Sequence, residues 1–120
     1  MLSEGSVIAL QGNLGSGKTC LAGGIAAGLG ISENLTSPTY TIINEYQRDE
    51  PSPALYHIDA YRLNGDRDFE DIGGVEIIRS AGISVIEWSE RIPKSLPENA
   101  ITVSLEITGP TSRLIKIKGP

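Results

Sequence analysis

Cysteine is nearly absent: Cys20 is the only one in 120 residues. An internal disulfide is therefore excluded, and a reducing cytosol is the expected setting. Long apolar runs are missing as well. No stretch reaches the roughly 18 apolar residues that a membrane-spanning helix needs, so no membrane association is expected. Met1 to Ser6 has neither the basic nor the apolar region of a secretory signal, which again points to the cytoplasm. Basic residues do not dominate either. Ten Lys and Arg stand against 15 Asp and Glu, for a net charge of −5. That balance argues against tight direct contact with a nucleic-acid backbone and suits a surface that meets other proteins. Histidine and tryptophan occur once each, as His57 and Trp88.

What the chain does have is a glycine-rich run in an informative setting. Gly12 to Thr19 read GNLGSGKT, which fits G-x-x-x-x-G-K-[ST]. Val7, Ile8, Ala9 and Leu10 before it form a short apolar run, as a buried strand would. Leu21, Ile25 and Leu29 after it fall at helical spacing. Strand, glycine-rich loop and helix together mark a phosphate-binding loop rather than a glycine-rich turn with a chance Lys-Thr. Gly12, Gly15 and Gly17 let the backbone turn sharply and present its N–H groups to an anion. The helix N-terminus adds partial positive charge. Lys18 is expected to reach solvent and the terminal phosphates rather than the core. The Thr19 hydroxyl is suited to Mg²⁺. The expected nucleotide-binding segment is thus Gly12, Asn13, Leu14, Gly15, Ser16, Gly17, Lys18, Thr19 and Cys20.

The remaining pattern alternates helices with strands over one domain, residues 1–120. The first helix is expected over Lys18 to Leu29 with Gly30 as its stop. Gly23, Gly24 and Gly28 weaken it, and close packing against a sheet is the expected reason. Strands are expected over Tyr40 to Tyr46 and Ala54 to Asp59, paired as an antiparallel hairpin. Asp66 to Asp71 and Val75 to Ser80 read as short helices, and Ile83 to Trp88 as a buried strand. Ile101 to Thr108 alternates apolar and polar residues and reads as half-buried. Leu114 to Lys118 returns against it as a C-terminal β-hairpin. The fold class is α/β, a P-loop NTPase-like three-layer fold with a mixed β-sheet.

Ligands of open α/β sheets lie at the carboxyl ends of the strands. Thr39 and Thr41, the segment from His57 to Arg62, and Glu87-Trp88 all occupy such ends. A carboxylate after an apolar strand is the usual second element beside a phosphate loop, and Asp59 and Glu87 both qualify. Asp59 can alternatively cap the next segment. His57 reads as a hydrogen-bonded strand residue or as one that shapes the site. Trp88 fits a core anchor as well as a nucleotide or partner contact. Arg62 fits a structural ion pair better than a phosphate contact. Cys20, though at a helix N-terminus, is expected to be buried and inert. Asp71 to Gly74 mimics D-x-x-G by chance, because no apolar strand precedes it. N-K-x-D is absent, which favours ATP over GTP.

GNLGSGKT, SPTYTIINEY, HIDAYRL and IEWSER, in this order, resemble the TsaE (YjeE) family from Gly5 to Lys118. That family is required for threonylcarbamoyl modification of adenosine 37 in tRNA. The resemblance implies an ATPase that is slow alone and works with the TsaB and TsaD proteins, meeting tRNA only through that complex. It implies ATP and Mg²⁺ as cofactors, with Lys18, Asp59 and Glu87 catalytic and Thr19 and Glu87 serving the metal. It further implies a switch-like segment around Thr39 and Thr41 that senses the γ-phosphate, and a basic nucleotide contact at Arg113. The chain departs from the family in Asn13, where Asp is usual; the family also carries a strand and helix before this start that help to seat the adenine, so the expectation is either a minimal domain or a truncated N-terminus. A nucleotide-gated binding module with negligible hydrolysis and a small-molecule kinase are the alternatives.

Overall fold

The structure, a computed structural model, describes residues 5–12, 18–31, 42–48 and 52–119. Among these, six strands form one sheet: β1 (Val7–Gly12), β2 (Ile43–Tyr46), β3 (Leu55–Asp59), β4 (Ile83–Glu87), β5 (Ile101–Gly109) and β6 (Ser112–Lys118). Their spatial order is β2-β3-β4-β1-β5-β6. The four central strands run parallel, and β2 and β6 pair antiparallel at the two edges. The mixed α/β sheet expected from the sequence is present, with both expected hairpins.

Side-chain alternation divides the sheet into two faces. Ile8, Leu10, Leu55, Ile83, Val85, Val103 and Leu105 pack under helix α1 (Lys18–Gly28) with Ala22 and Ala26. Val7, Ile58 and Ile86 point the other way and meet Phe69 and Ile78 of the short helices α2 (Asp66–Asp71) and α3 (Gly74–Ile78). The central strands are buried on both faces, as parallel strands with helices on each side must be.

Gly30 ends α1 as expected. It adopts φ 85°, its N–H bonds Ala27 O at 3.1 Å, and the Ile31 N–H bonds Ala26 O at 3.0 Å. This crossed pair of bonds satisfies the last carbonyls, and glycine takes that angle without strain. The expected reason for the other helix glycines is not found. A Cβ at Gly23, Gly24 or Gly28 would meet no described atom within 4 Å. Gly24 instead faces a cavity beside the C-terminal hairpin.

The hairpin departs from its pattern. β5 buries only Val103 and Leu105; Ile107 is exposed, and β6 is exposed along its whole length, with Ile117 at 71%. The apolar cluster around α1 reaches Leu105 and none of the apolar residues of β6. Alternation thus marks a face, but burial needs a covering layer.

Two helix glycines should respond oppositely to alanine. Gly23→Ala is expected to raise stability by up to about 1 kcal/mol, since helix propensity improves and nothing is displaced. Gly74→Ala puts a Cβ 2.3 Å from the Phe69 ring and should cost about 1–3 kcal/mol. Urea unfolding of both variants checks the signs.

Candidate nucleotide site

The site is built where β3, β4 and β1 end together. Asp59 is in register with Glu87, and Glu87 with Leu10. All three side chains lie on the α1 face. The phosphate loop leaves β1 at Gly12, whose φ of 153° suits glycine, and α1 begins at Lys18. Parallel pairing therefore brings two carboxylates from distant motifs beside the start of α1. Asn13 to Gly17, Thr39 and Thr41 lie outside the described residues, as does the side chain of Thr19.

Lys18 is buried, with 5% of its surface exposed, rather than solvent-reaching. Its Nζ donates to Gly12 O at 2.5 Å and lies 4.0 Å from the centroid of the Trp88 ring. Desolvation lowers its pKa from the ordinary value, against the opposing pull of Glu90, Glu87 and Asp59. The lysine folds back because a carbonyl and an aromatic face offer electron density where water is excluded.

Glu87 is almost fully buried, at 3% exposure. A buried carboxylate needs donors, and His57 supplies one: its Nε2 lies 2.5 Å from Glu87 Oε2. His57 and Asp59 are two residues apart on β3, so both project toward the same face as Glu87. The histidine's hydrogen-bonded role is as expected, and its partner is the candidate metal ligand. Asp59 is half-buried. Its Oδ1 accepts the Tyr61 N–H at 3.0 Å, so the capping reading holds alongside the strand-end position. Burial raises the Asp59 pKa, opposed by the Tyr61 hydrogen bond; nearby Glu87 raises it further, while His57 and Lys18 lower it.

Trp88 turns the chain at the end of β4 with φ 59°, the one non-glycine residue at positive φ among the described residues. Such a conformation costs about 1–3 kcal/mol and concentrates at functional sites. Here it presents the indole to Lys18. Tyr61 meets Trp88 in a tilted ring pair with centroids 4.9 Å apart and an interplanar angle of 59°, and Arg91 lies 5.4 Å from the Tyr61 ring. The next turn is anchored by the buried Ser89, whose Oγ donates to Leu10 O at 3.1 Å. Tyr61, Ser89 and Arg91 were not singled out from sequence, although each lies within HIDAYRL or IEWSER.

Cys20 is exposed, not buried. It lines a cavity of about 470 Å³ with Gly24, Leu105, Thr111 and Arg113. Cys20 and Arg113, distant in sequence, thus face one space beside α1. Arg113 Nη1 also donates to Ser112 O at 2.8 Å and Gly109 O at 3.2 Å. Arg62 is exposed and pairs with no described carboxylate, so the expected ion pair is not found. The Asp71 to Gly74 segment lies at the α2–α3 junction, with the helices that pack on the face opposite α1.

The family model for the threonylcarbamoyl adenosine biosynthesis protein TsaE matches residues 1–115. The chain belongs to the TsaE family. The tRNA threonylcarbamoyladenosine biosynthesis protein TsaE of Treponema pallidum is 46% identical over 117 residues, covering 98% of this chain and 84% of that protein. The Nostoc protein of the same name is 46% identical over 121 residues, covering 97% and 72%. The crystal structure of Bacillus subtilis YdiB superposes with a TM-score of 0.78 at 31% identity, covering 99% of this chain and 71% of that one. The strand-end carboxylates therefore sit on a chain of the TsaE family.

Asp59 provides a pH test of this geometry. Its raised pKa means that the folded chain holds the proton more tightly than the unfolded chain. Stability is then lost as Asp59 ionises above its ordinary value of 3.8. Asp59→Asn keeps an acceptor for Tyr61 and removes the buried charge. It should melt above the parent at pH 7, with the gap closing as pH falls to 3.8 and below. Paired thermal melts across that range check it.

Proposed function

We propose that this chain binds ATP with Mg²⁺ and hydrolyses it in support of threonylcarbamoyl modification of adenosine 37 in tRNA, acting with the TsaB–TsaD pair. The observation that carries this reading is the register of Asp59 with Glu87, on the sheet face that carries α1 and Lys18. The names of the relatives supply the pathway.

The donor chemistry suits the metal. Mg²⁺ takes hard oxygen ligands, keeps several waters and binds through one or two carboxylates plus phosphates. Glu87 and the Thr19 hydroxyl would hold it, and it would supply positive charge opposite the β- and γ-phosphates. The chain's own residues do the rest. The N-terminus of α1 receives the phosphate charge. Lys18 exchanges Gly12 O and the indole for a phosphate oxygen. Asp59 orients the attacking water, and the carboxyl pKa that burial raises makes it a better proton acceptor than a solvated aspartate. The cavity between α1 and the hairpin, walled by Leu21, Leu105 and Ile115 with Arg113 at hand, has the apolar character that a base prefers.

One observation favours a second reading, a nucleotide-gated module with negligible turnover. Lys18 stowed on Trp88 is a ready two-position element. Turnover separates the two. The purified chain should hydrolyse ATP slowly and accelerate when TsaB and TsaD are added, because a group supplied in trans commonly contributes about 10³-fold or more. Glu87→Gln should lower the stimulated rate by about tenfold or more while ATP affinity changes far less. An unstimulated rate in the full mixture favours the gated module; normal turnover by the variant removes Glu87 from the mechanism.

Lys18→Ala should abolish ATP·Mg²⁺ binding in isothermal titration, with the far-UV spectrum kept. Its Trp88 emission should also differ from that of the parent, because the ammonium over the ring is gone. Wild-type affinity would sink the phosphate-loop assignment.

A further inference from the structure

The mechanism above uses Glu87 and leaves open what holds it in place. His57 is completely buried in β3, between Leu55 and Asp59 on the α1 face. Val85 of β4 is its register partner, and Glu87 is the next residue of β4 on that face. Nε2 meets Glu87 Oε2 at 2.5 Å, while Nδ1 has no hydrogen-bond partner among the described residues.

These two facts select a tautomer. A buried N–H without an acceptor is rarer and costlier than a bare acceptor lone pair. The proton therefore belongs on Nε2, where it is donated to the carboxylate, and Nδ1 is left as the lone pair. Stability alone does not call for such a pair. Well-packed apolar side chains in place of a buried polar pair are often neutral or stabilising, and Leu55 and Val85 already supply an apolar setting. The pair fixes a position instead. With Oε2 held by the ring, the Glu87 carboxylate cannot turn freely about its last bond.

We propose that His57 is a positioning residue that orients Glu87 through an Nε2–H hydrogen bond, holding the carboxylate in the orientation in which it would serve the magnesium. The proposal rests on the role given to Glu87 above, and its test keeps the two apart.

His57 is the only histidine, so long-range ¹H–¹⁵N spectra of the full chain without nucleotide report one ring. The expected result is the Nε2–H tautomer with a strongly downfield proton that moves upfield in Glu87→Gln. The Nδ1–H tautomer, or a proton that Glu87→Gln leaves in place, overturns the pair.

Kinetics with the TsaB–TsaD pair then test positioning. The Gln amide nitrogen reaches the place of Nε2, whereas the Asn nitrogen reaches only that of Nδ1. His57→Gln should keep most of kcat. His57→Asn should lose about tenfold or more, with the nucleotide Kd and KM unchanged. Equal losses in both variants, no loss in His57→Asn, or a parallel loss of nucleotide affinity overturns positioning. If the variants do not fold, the spectrum of the unmodified chain still decides the bond. Full turnover in Glu87→Gln would remove the catalytic role of Glu87 and with it the positioning role of His57, whatever the tautomer.

Discussion

A carboxylate buried at the end of a central strand cannot be left without polar company, and the site is arranged around that constraint. Glu87 ends β4 between β1 and β3, with almost no access to water. His57 bonds one of its oxygens, Asp59 stands in register beside it, and Lys18 is close enough to feel both carboxylates. These terms depend on one another. Removing the lysine takes a cation from beside two carboxylates, and removing the histidine takes a hydrogen bond from Glu87. Among the described residues, Lys18 stands within electrostatic reach of three carboxylates, Glu90, Glu87 and Asp59. A magnesium ion would bring further positive charge to these carboxylates in the proposed reaction.

The two faces of the sheet do different work. The α1 face carries His57, Asp59, Glu87 and Lys18. The opposite face carries Phe69, Ile58 and Ile86 under α2 and α3. Trp88 links the two faces: it packs against the cluster opposite α1, while its left-handed backbone angle turns the chain out of β4 and lays the indole against Lys18. The Ser89 bond to Leu10 O holds that turn to the strand that feeds the phosphate loop. Strain at one residue is thus tied down by a hydrogen bond at the next.

Some of this was legible in the chain because it is local. The strand–loop–helix context of GNLGSGKT, the Gly30 stop and the alternation of the C-terminal hairpin each depend on neighbours a few residues apart. Asp59 and Glu87 were legible as strand-end carboxylates for the same reason. Other readings failed where contacts are distant. Gly23, Gly24 and Gly28 were expected to press on a sheet and meet nothing there. Cys20 was expected to be buried and lines an open cavity with Arg113. Ile115 and Ile117 alternate correctly, yet the described core does not extend to them.

The sequence by itself determined which segments become strand, loop and helix, and which residues carry charge at strand ends. Side-chain period and backbone preference act over one turn or one pleat, so they are written in the order of residues. Only the tertiary structure decided that the ring of His57 meets Glu87, that Lys18 folds under Trp88, and that Asp59 stands beside Glu87. Those pairings depend on the parallel register of three strands separated by dozens of residues. That register is set by how two apolar faces close over one sheet, a property of the whole chain that no local pattern contains.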